Sequence, residues 1–111
     1  MAKFEITKRK NGEFQYNLKA SNGEIILTSE GYVAKASCVK GINSVIKNST
    51  EEQRFEKRVA KNSKYFFILK AKNGQVIGTS EMYESEATRD KGIASVKKNA
   101  SSAKIADMTK K

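Results

Sequence analysis

The chain is written twice. Leu18-Lys19-Ala20-Ser21-Asn22-Gly23 returns as Leu69-Lys70-Ala71-Lys72-Asn73-Gly74, and Thr28-Ser29-Glu30-Gly31-Tyr32 as Thr79-Ser80-Glu81-Met82-Tyr83. Lys40-Gly41-Ile42-Asn43-Ser44-Val45-Ile46-Lys47-Asn48 returns as Lys91-Gly92-Ile93-Ala94-Ser95-Val96-Lys97-Lys98-Asn99, and the offset is 51 throughout. Residues 4–50 align with 55–101 without a gap and share 22 identities in 47 positions, where chance gives about three. A unit of about 50 residues closes a core poorly on its own. Two copies are therefore expected to pack as one domain about a pseudo-twofold axis, with repeat limits near 3–50 and 54–108.

Each copy reads as three strands and a helix. Phe4 to Arg9 is a first strand ended by Asn11-Gly12, a hairpin signal. Phe14, Tyr16, Leu18 and Ala20 alternate with Gln15, Asn17 and Lys19, the period of a strand with one buried face. Asn22-Gly23 marks a second tight turn, expected to be type I′ with positive φ at both residues. Ile25 to Thr28 returns as a third strand. The second copy has its turns at Asn62-Ser63 and Asn73-Gly74, and its middle strand, Tyr65-Phe66-Phe67-Ile68-Leu69, is apolar on both faces and so expected to lie deeper.

Helices are expected near Ala34 to Asn48 and Ser85 to Asn99. Ala34, Cys38, Gly41, Ile42 and Val45 fall on one face, with Lys40 and Lys47 turned away. Gly41 and Gly92 sit inside that apolar stripe, where Gly costs about 1 kcal/mol relative to Ala. Their presence in both copies implies a close approach of the helix backbone to another element. Ile105 to Met108 reads as a short closing strand.

The absences bound the chemistry. There is no His, no Trp, no Pro and one Cys in 111 residues. No imidazole is available as a base near neutral pH or as a zinc ligand, and a single Cys forms no internal disulfide. Cys38 lies in a helical pattern and is expected to be buried and inert. Met1 to Lys10 carry five charges and no apolar segment, so no secretory leader is expected. The reading is a cytoplasmic protein that does not engage a membrane and needs no cofactor or metal.

Four features are candidates for function. In the first, Ser29, Glu30 and Tyr32, with Ser80, Glu81 and Tyr83, join strand to helix, where hydroxyl, carboxylate and phenol could meet a ligand. Ser beside Glu without an imidazole is a poor nucleophile, so the competing reading is structural: Ser or Glu satisfies backbone N–H groups near the helix start and Tyr packs on the hairpin. The second is a net charge of +10, which raises weak, sequence-independent nucleic-acid or polyanion binding. Lys10/Lys61, Lys19/Lys70, Lys40/Lys91 and Lys47/Lys98 are matched between copies, as are Glu5/Glu56 and Glu30/Glu81. The shared pattern thus supplies +4 of the +10, and the rest reads as solvated surface charge. Phe66 and Ile68 would offer a stacking platform only if their face is open.

The third candidate is Arg89, which stands where the first copy has Cys38. It is either an Arg whose stem lies on the sheet and whose head reaches Glu81, Glu86 or solvent, or a single asymmetric anion site. The fourth, Asn48-Ser49-Thr50 and Asn99-Ala100-Ser101, matches a glycosylation triplet and reads as helix-end polar residues.

The run L-K-A-x-N-G, then T-S-E-x-Y, then K-G-I-x-S-V-x-K-N resembles the YegP-like family of small bacterial proteins, a family without assigned function. The resemblance spans nearly the whole chain in two complete copies. It implies a tandem β-β-β-α unit and brings no catalytic residues to transfer. The expectation is an α+β, monomeric, non-enzymatic binding or protein-interaction module with either a protein partner or a polyanion. A small-ligand site between the repeats is the further alternative.

Overall fold

The alternation in the first hairpin resolves into a two-faced ribbon. In the computed structural model, which describes residues 2–109, β1 (Lys3–Lys8) pairs antiparallel with β2 (Phe14–Lys19), setting Phe4 opposite Leu18 and Ile6 opposite Tyr16. Those four side chains share one face, and Glu5 and Asn17 take the other. Beyond β2 lie β3 (Ile25–Thr28) and α1 (Lys35–Asn48). The second copy follows as β4 (Phe55–Val59), β5 (Tyr65–Lys70), β6 (Val76–Thr79) and α2 (Glu86–Asn99), and β7 (Lys104–Asp107) is the last described strand. Short 3-10 turns at Glu52–Arg54 and Ala100–Ser102 follow the two helices. The protein is mixed α+β, one seven-stranded sheet ordered β4-β5-β6-β3-β2-β1-β7 with two helices.

The core joins one sheet face to both helices: Phe4, Tyr16, Leu18, Leu27, Phe67 and Leu69 cluster with Cys38, Ile42, Val45, Ile93 and Val96. Ala34 is exposed and precedes α1 rather than joining its buried stripe. β5 is more buried than β2, with Phe67, Ile68 and Leu69 all covered, although Tyr65 and Phe66 remain half-buried. Ile68 is buried outside the core cluster. With Phe66, it lies on the face opposite Phe67 and Leu69.

The tight turns differ from expectation. Positive φ occurs at Gly12, Gly23 and Gly74 and at Ser63, while the Asn before each keeps negative φ. Gly12 N donates to Arg9 O at 2.9 Å and Arg9 N to Glu13 O at 2.7 Å, the pattern of a three-residue hairpin closed by a left-handed residue. Asn serves another purpose: Asn11, Asn22, Asn62 and Asn73 each accept the backbone N–H two residues on, at 3.0–3.1 Å.

The mid-helix glycines are explained by tyrosine. A Cβ on Gly41 would lie 2.5 Å from Tyr32 Oη, and Gly92 stands equally close to Tyr83. Tyr32 stacks on Tyr16 with ring centroids 6.4 Å apart, and Tyr83 stacks on Phe67 at the same distance. The T-S-E-x-Y and K-G-I motifs are therefore two halves of one contact, a ring laid across a helix that must lack a side chain there.

At the seam between copies, Thr28 pairs with Thr79, its equivalent 51 residues on. One step away the copies differ, because Leu27 fills the space that a Cβ on Gly78 would enter at 2.7 Å. Two leucines would collide there and two glycines would leave a hole.

Candidate functional site

The sequence candidates separate on inspection. Ser29 Oγ accepts Tyr16 N–H at 2.9 Å and donates to Glu30 O at 2.8 Å; Ser80 does the same with Phe67 N and Glu81 O at 2.9 and 2.8 Å. Both hydroxyls are consumed by backbone, on the neighbouring middle strand rather than at a helix start. The α2 start is served instead by Ser85, whose Oγ accepts Thr88 N–H at 3.2 Å. Glu30 and Glu81 are exposed. Burial, then nearby acidic groups, raises the phenols of Tyr32 and Tyr83, so both stay protonated near neutral pH.

Lys19 and Lys70 are engaged in ion pairs. Lys19 bonds Glu5 at 2.9 Å and Lys70 bonds Glu56 at 2.7 Å, which holds both carboxyls below their ordinary range. Arg89 does not reach Glu81 or Glu86. Its guanidinium carbon lies 5.5 Å from the Tyr65 ring centroid and its Nε 3.4 Å from Asp90 Oδ1, so its charge is met by a ring face and a neighbouring carboxylate. Cys38 is fully buried, and burial pushes its thiol up to about 11, an inert state. Asn48 and Asn99 each donate back to the carbonyl of Ser44 or Ser95 at 2.8 Å.

What the repeat brings together is a pair of grooves. One runs between α2 and the β2–β3 turn of the first copy. Its two adjoining hollows, of about 410 and 380 Å³, share Ala20, Asn22, Lys91 and Ser95, with Tyr83, Gly92 and Ile26 in one and Lys98 and Asn99 in the other. The second runs between α1 and the β5–β6 turn of the second copy, in hollows of about 270 and 450 Å³ that share Ser44, Ala71 and Asn73. Tyr32, Lys40, Gly41 and Ile77 line the first of these hollows, Lys47 and Asn48 the second.

Shifted by 51, nine residue pairs coincide and are identical: Ala20/Ala71, Asn22/Asn73, Ile26/Ile77, Tyr32/Tyr83, Lys40/Lys91, Gly41/Gly92, Ser44/Ser95, Lys47/Lys98 and Asn48/Asn99. Several of these have structural duties. The four lysines do not: all are exposed, and none forms an ion pair among the described residues. Sequence reading scattered these positions among turns, helix faces and charge, because each groove takes its walls from both copies.

The grooves differ in charge. The α2 groove includes Glu24 and Glu81 against Lys91 and Lys98, whereas the α1 groove has Lys40, Lys47, Lys72 and Arg54 against Glu51. Among the described residues, no three His, Cys, Asp or Glu side chains come together as a metal site requires. No described helix is long and apolar enough to cross a membrane.

A family model described as domain of unknown function (DUF1508) matches the chain twice, at residues 10–56 and 60–107. The chain is 58% identical over 106 residues to a UPF0339 protein of Acinetobacter baylyi, covering 96% of each. It is 51% identical over 106 residues to the UPF0339 protein YegP of Escherichia coli strain K12, again covering 96% of each. The solution NMR structure of yegP from E. coli, described as a protein of unknown function, superposes with a TM-score of 0.91 at 50% identity, covering 96% of this chain and 92% of that one. The solution NMR structure of UPF0339 protein SO3888 from Shewanella oneidensis gives the same TM-score and identity, covering 96% and 91%. The chain belongs to this DUF1508 family, as its repeated motifs indicated.

Proposed function

We propose that the protein is a non-enzymatic binding module, monomeric and built about a pseudo-twofold axis, whose contact surfaces are the two inter-repeat grooves. The observation that carries this reading is the coincidence of nine identical residue pairs along the grooves, four partnerless lysines among them. Exposed lysines without partners add little to folding, so their presence at both sites favours a ligand role. The axis is supported by the sheet order, which runs outward from a bridge between equivalent residues, Thr28 and Thr79. A non-catalytic role is supported by Ser29 and Ser80, whose hydroxyls are occupied, and by the absence of any imidazole to act as base.

The test is amide chemical-shift mapping with a chemically diverse fragment set. Binders should perturb Asn22, Lys91 and Ser95 in one groove and Lys40, Ser44 and Asn73 in the other. Perturbations confined to the helix-free sheet face or to β4 would overturn the reading. A second reading, weak polyanion binding, is favoured by the same lysines together with the net charge of +10. Fluorescence anisotropy with labelled DNA and RNA at about 50 and 200 mM salt separates it, because six or more phosphate contacts lose on the order of a thousandfold in affinity across that range. No binding at the lower salt would sink it.

A further inference from the structure

The two grooves are not equivalent at the ends that meet the helix C-termini. In the α1 groove, Lys47, Lys72, Arg54 and Asn73 converge on a hollow of about 450 Å³, within the range of small-molecule sites. Arg54 Nη2 bonds Glu51 Oε1 at 3.3 Å, while its Nε is buried with no hydrogen-bond partner. A buried N–H of this kind is costly to leave unmet. Asn73 Oδ1 accepts Gln75 N–H at 3.0 Å, and its Nδ2 has no partner among the described residues.

In the α2 groove Ser21 stands where Lys72 does, and no arginine lines either hollow to match Arg54. Asn22 Nδ2 is also taken, donating to Glu24 Oε1 at 2.9 Å. One hollow therefore gathers three cations and a free amide donor against one carboxylate, Glu51, which Gln53 Nε2 and Arg54 already hold. The other keeps two lysines, Lys91 and Lys98, and no guanidinium.

We propose that this end of the α1 groove is a phosphate subsite and that its ligand is a phosphorylated small molecule of nucleotide size. Arg54 offers a planar donor edge and Lys47 and Lys72 offer mobile point charges from facing elements, the combination that suits a phosphomonoester. The sister groove lacks that set and takes no phosphate. The proposal rests on the groove reading above and adds the chemistry and the asymmetry.

The probes are inorganic phosphate, adenosine 5′-monophosphate, adenosine and a twelve-residue oligodeoxythymidylate, titrated into the whole protein at about 150 mM salt with amide shifts as readout. Phosphate and the monophosphate should perturb Glu51, Arg54, Lys72 and Asn73, and adenosine should not. Lys72→Ser, which installs the residue standing at position 21, should weaken the monophosphate at least tenfold with an otherwise unchanged spectrum. Lys10→Ala, an exposed lysine outside both grooves, should leave it unchanged. The proposal is overturned if phosphate perturbs nothing, if both grooves respond alike, or if Lys72→Ser binds as well as the parent. An oligonucleotide that binds the same residues over a hundredfold more tightly than the monophosphate would overturn the small-molecule assignment. Fragments seated in the grooves with no response to phosphate would remove this proposal and leave the groove reading standing.

Discussion

At one end of the sheet β7 lies along β1, parallel, with Phe4 opposite Ile105 and Ile6 opposite Asp107. The layer beneath is apolar: Ile6 and Cys38 are 1% and 0% exposed, and Val39 packs against the core. Asp107 holds Lys35 of α1 at 2.8 Å, and that ammonium lies 5.7 Å from the centroid of the Phe14 ring. At the other end no described strand pairs with the outer edge of β4. There the positions equivalent to Ile6, Cys38 and Val39 are Lys57, Arg89 and Asp90, joined as an ion cluster with Lys57 at 3.3 Å and Arg89 at 3.4 Å from Asp90. One ancestral edge has thus been finished in two ways. A covering strand permits an apolar layer, and an uncovered strand carries charge that discourages pairing with another chain.

Exchanging residues between the ends is the strongest way to break this comparison. Ile6→Lys places the residue of the open end beneath β7 and should cost about 4 kcal/mol, since an unpaired buried charge replaces a packed side chain. The reciprocal Lys57→Ile should stay within about 1 kcal/mol. Urea denaturation of both variants measures the contrast, and equal losses would show that β7 does not decide which residues each end tolerates. Gly78→Leu restores identity at the seam and should cost about 3 kcal/mol by overpacking against Leu27. A midpoint close to the parent's would mean that the seam has room for both.

The ring-over-helix contact is shared by both copies, so its test is one of coupling. Gly41→Ala gains about 1 kcal/mol of helix propensity but drives a methyl into Tyr32, and a net loss of about 1 kcal/mol is expected. In a Tyr32→Phe background the same change should be near neutral or stabilising. A double-mutant cycle with no interaction energy would remove the explanation given for the glycine.

Acidification should separate the two ends more gently. Hydrogen bonds from Lys35 and Thr109 hold the Asp107 carboxyl well below the usual carboxylate range. With the folded-state value lowered, the stabilisation is complete above the unfolded value near pH 4 and is lost as pH falls through the lower folded value. β7 amides should therefore lose exchange protection below about pH 4, and Asp107→Asn should abolish that dependence. Unchanged protection down to pH 2 would show that the pair does not anchor the strand.

Much of the fold was legible in the chain. The repeat, the Asn-Gly turns, the alternation in β2 and the Cys38-Ile42-Val45 stripe each arise from local chemistry, and local chemistry is what a sequence displays. The glycine in each helix was visible as an anomaly, but its partner lay nine residues away across a strand–helix connection. Strand order was not legible, so neither β7 covering β1 nor the open edge at β4 could be read. For the same reason Lys57 and Asp90 looked like ordinary surface charge. The grooves were present as identities without an address. Arg54 carried no signal, because it stands outside the shared pattern and meets Lys72 only once β5 and β6 are placed beside α1.

The central claim is that the lysines shared by both grooves serve a ligand and not the fold. Chemical denaturation of the Lys40→Ala/Lys91→Ala double variant tests it without requiring the ligand's identity. Both side chains are exposed and unpaired among the described residues, so a stability within about 0.5 kcal/mol of the parent is expected. A loss of more than about 1 kcal/mol, with the fold intact, would show that these lysines are structural and would contradict the claim.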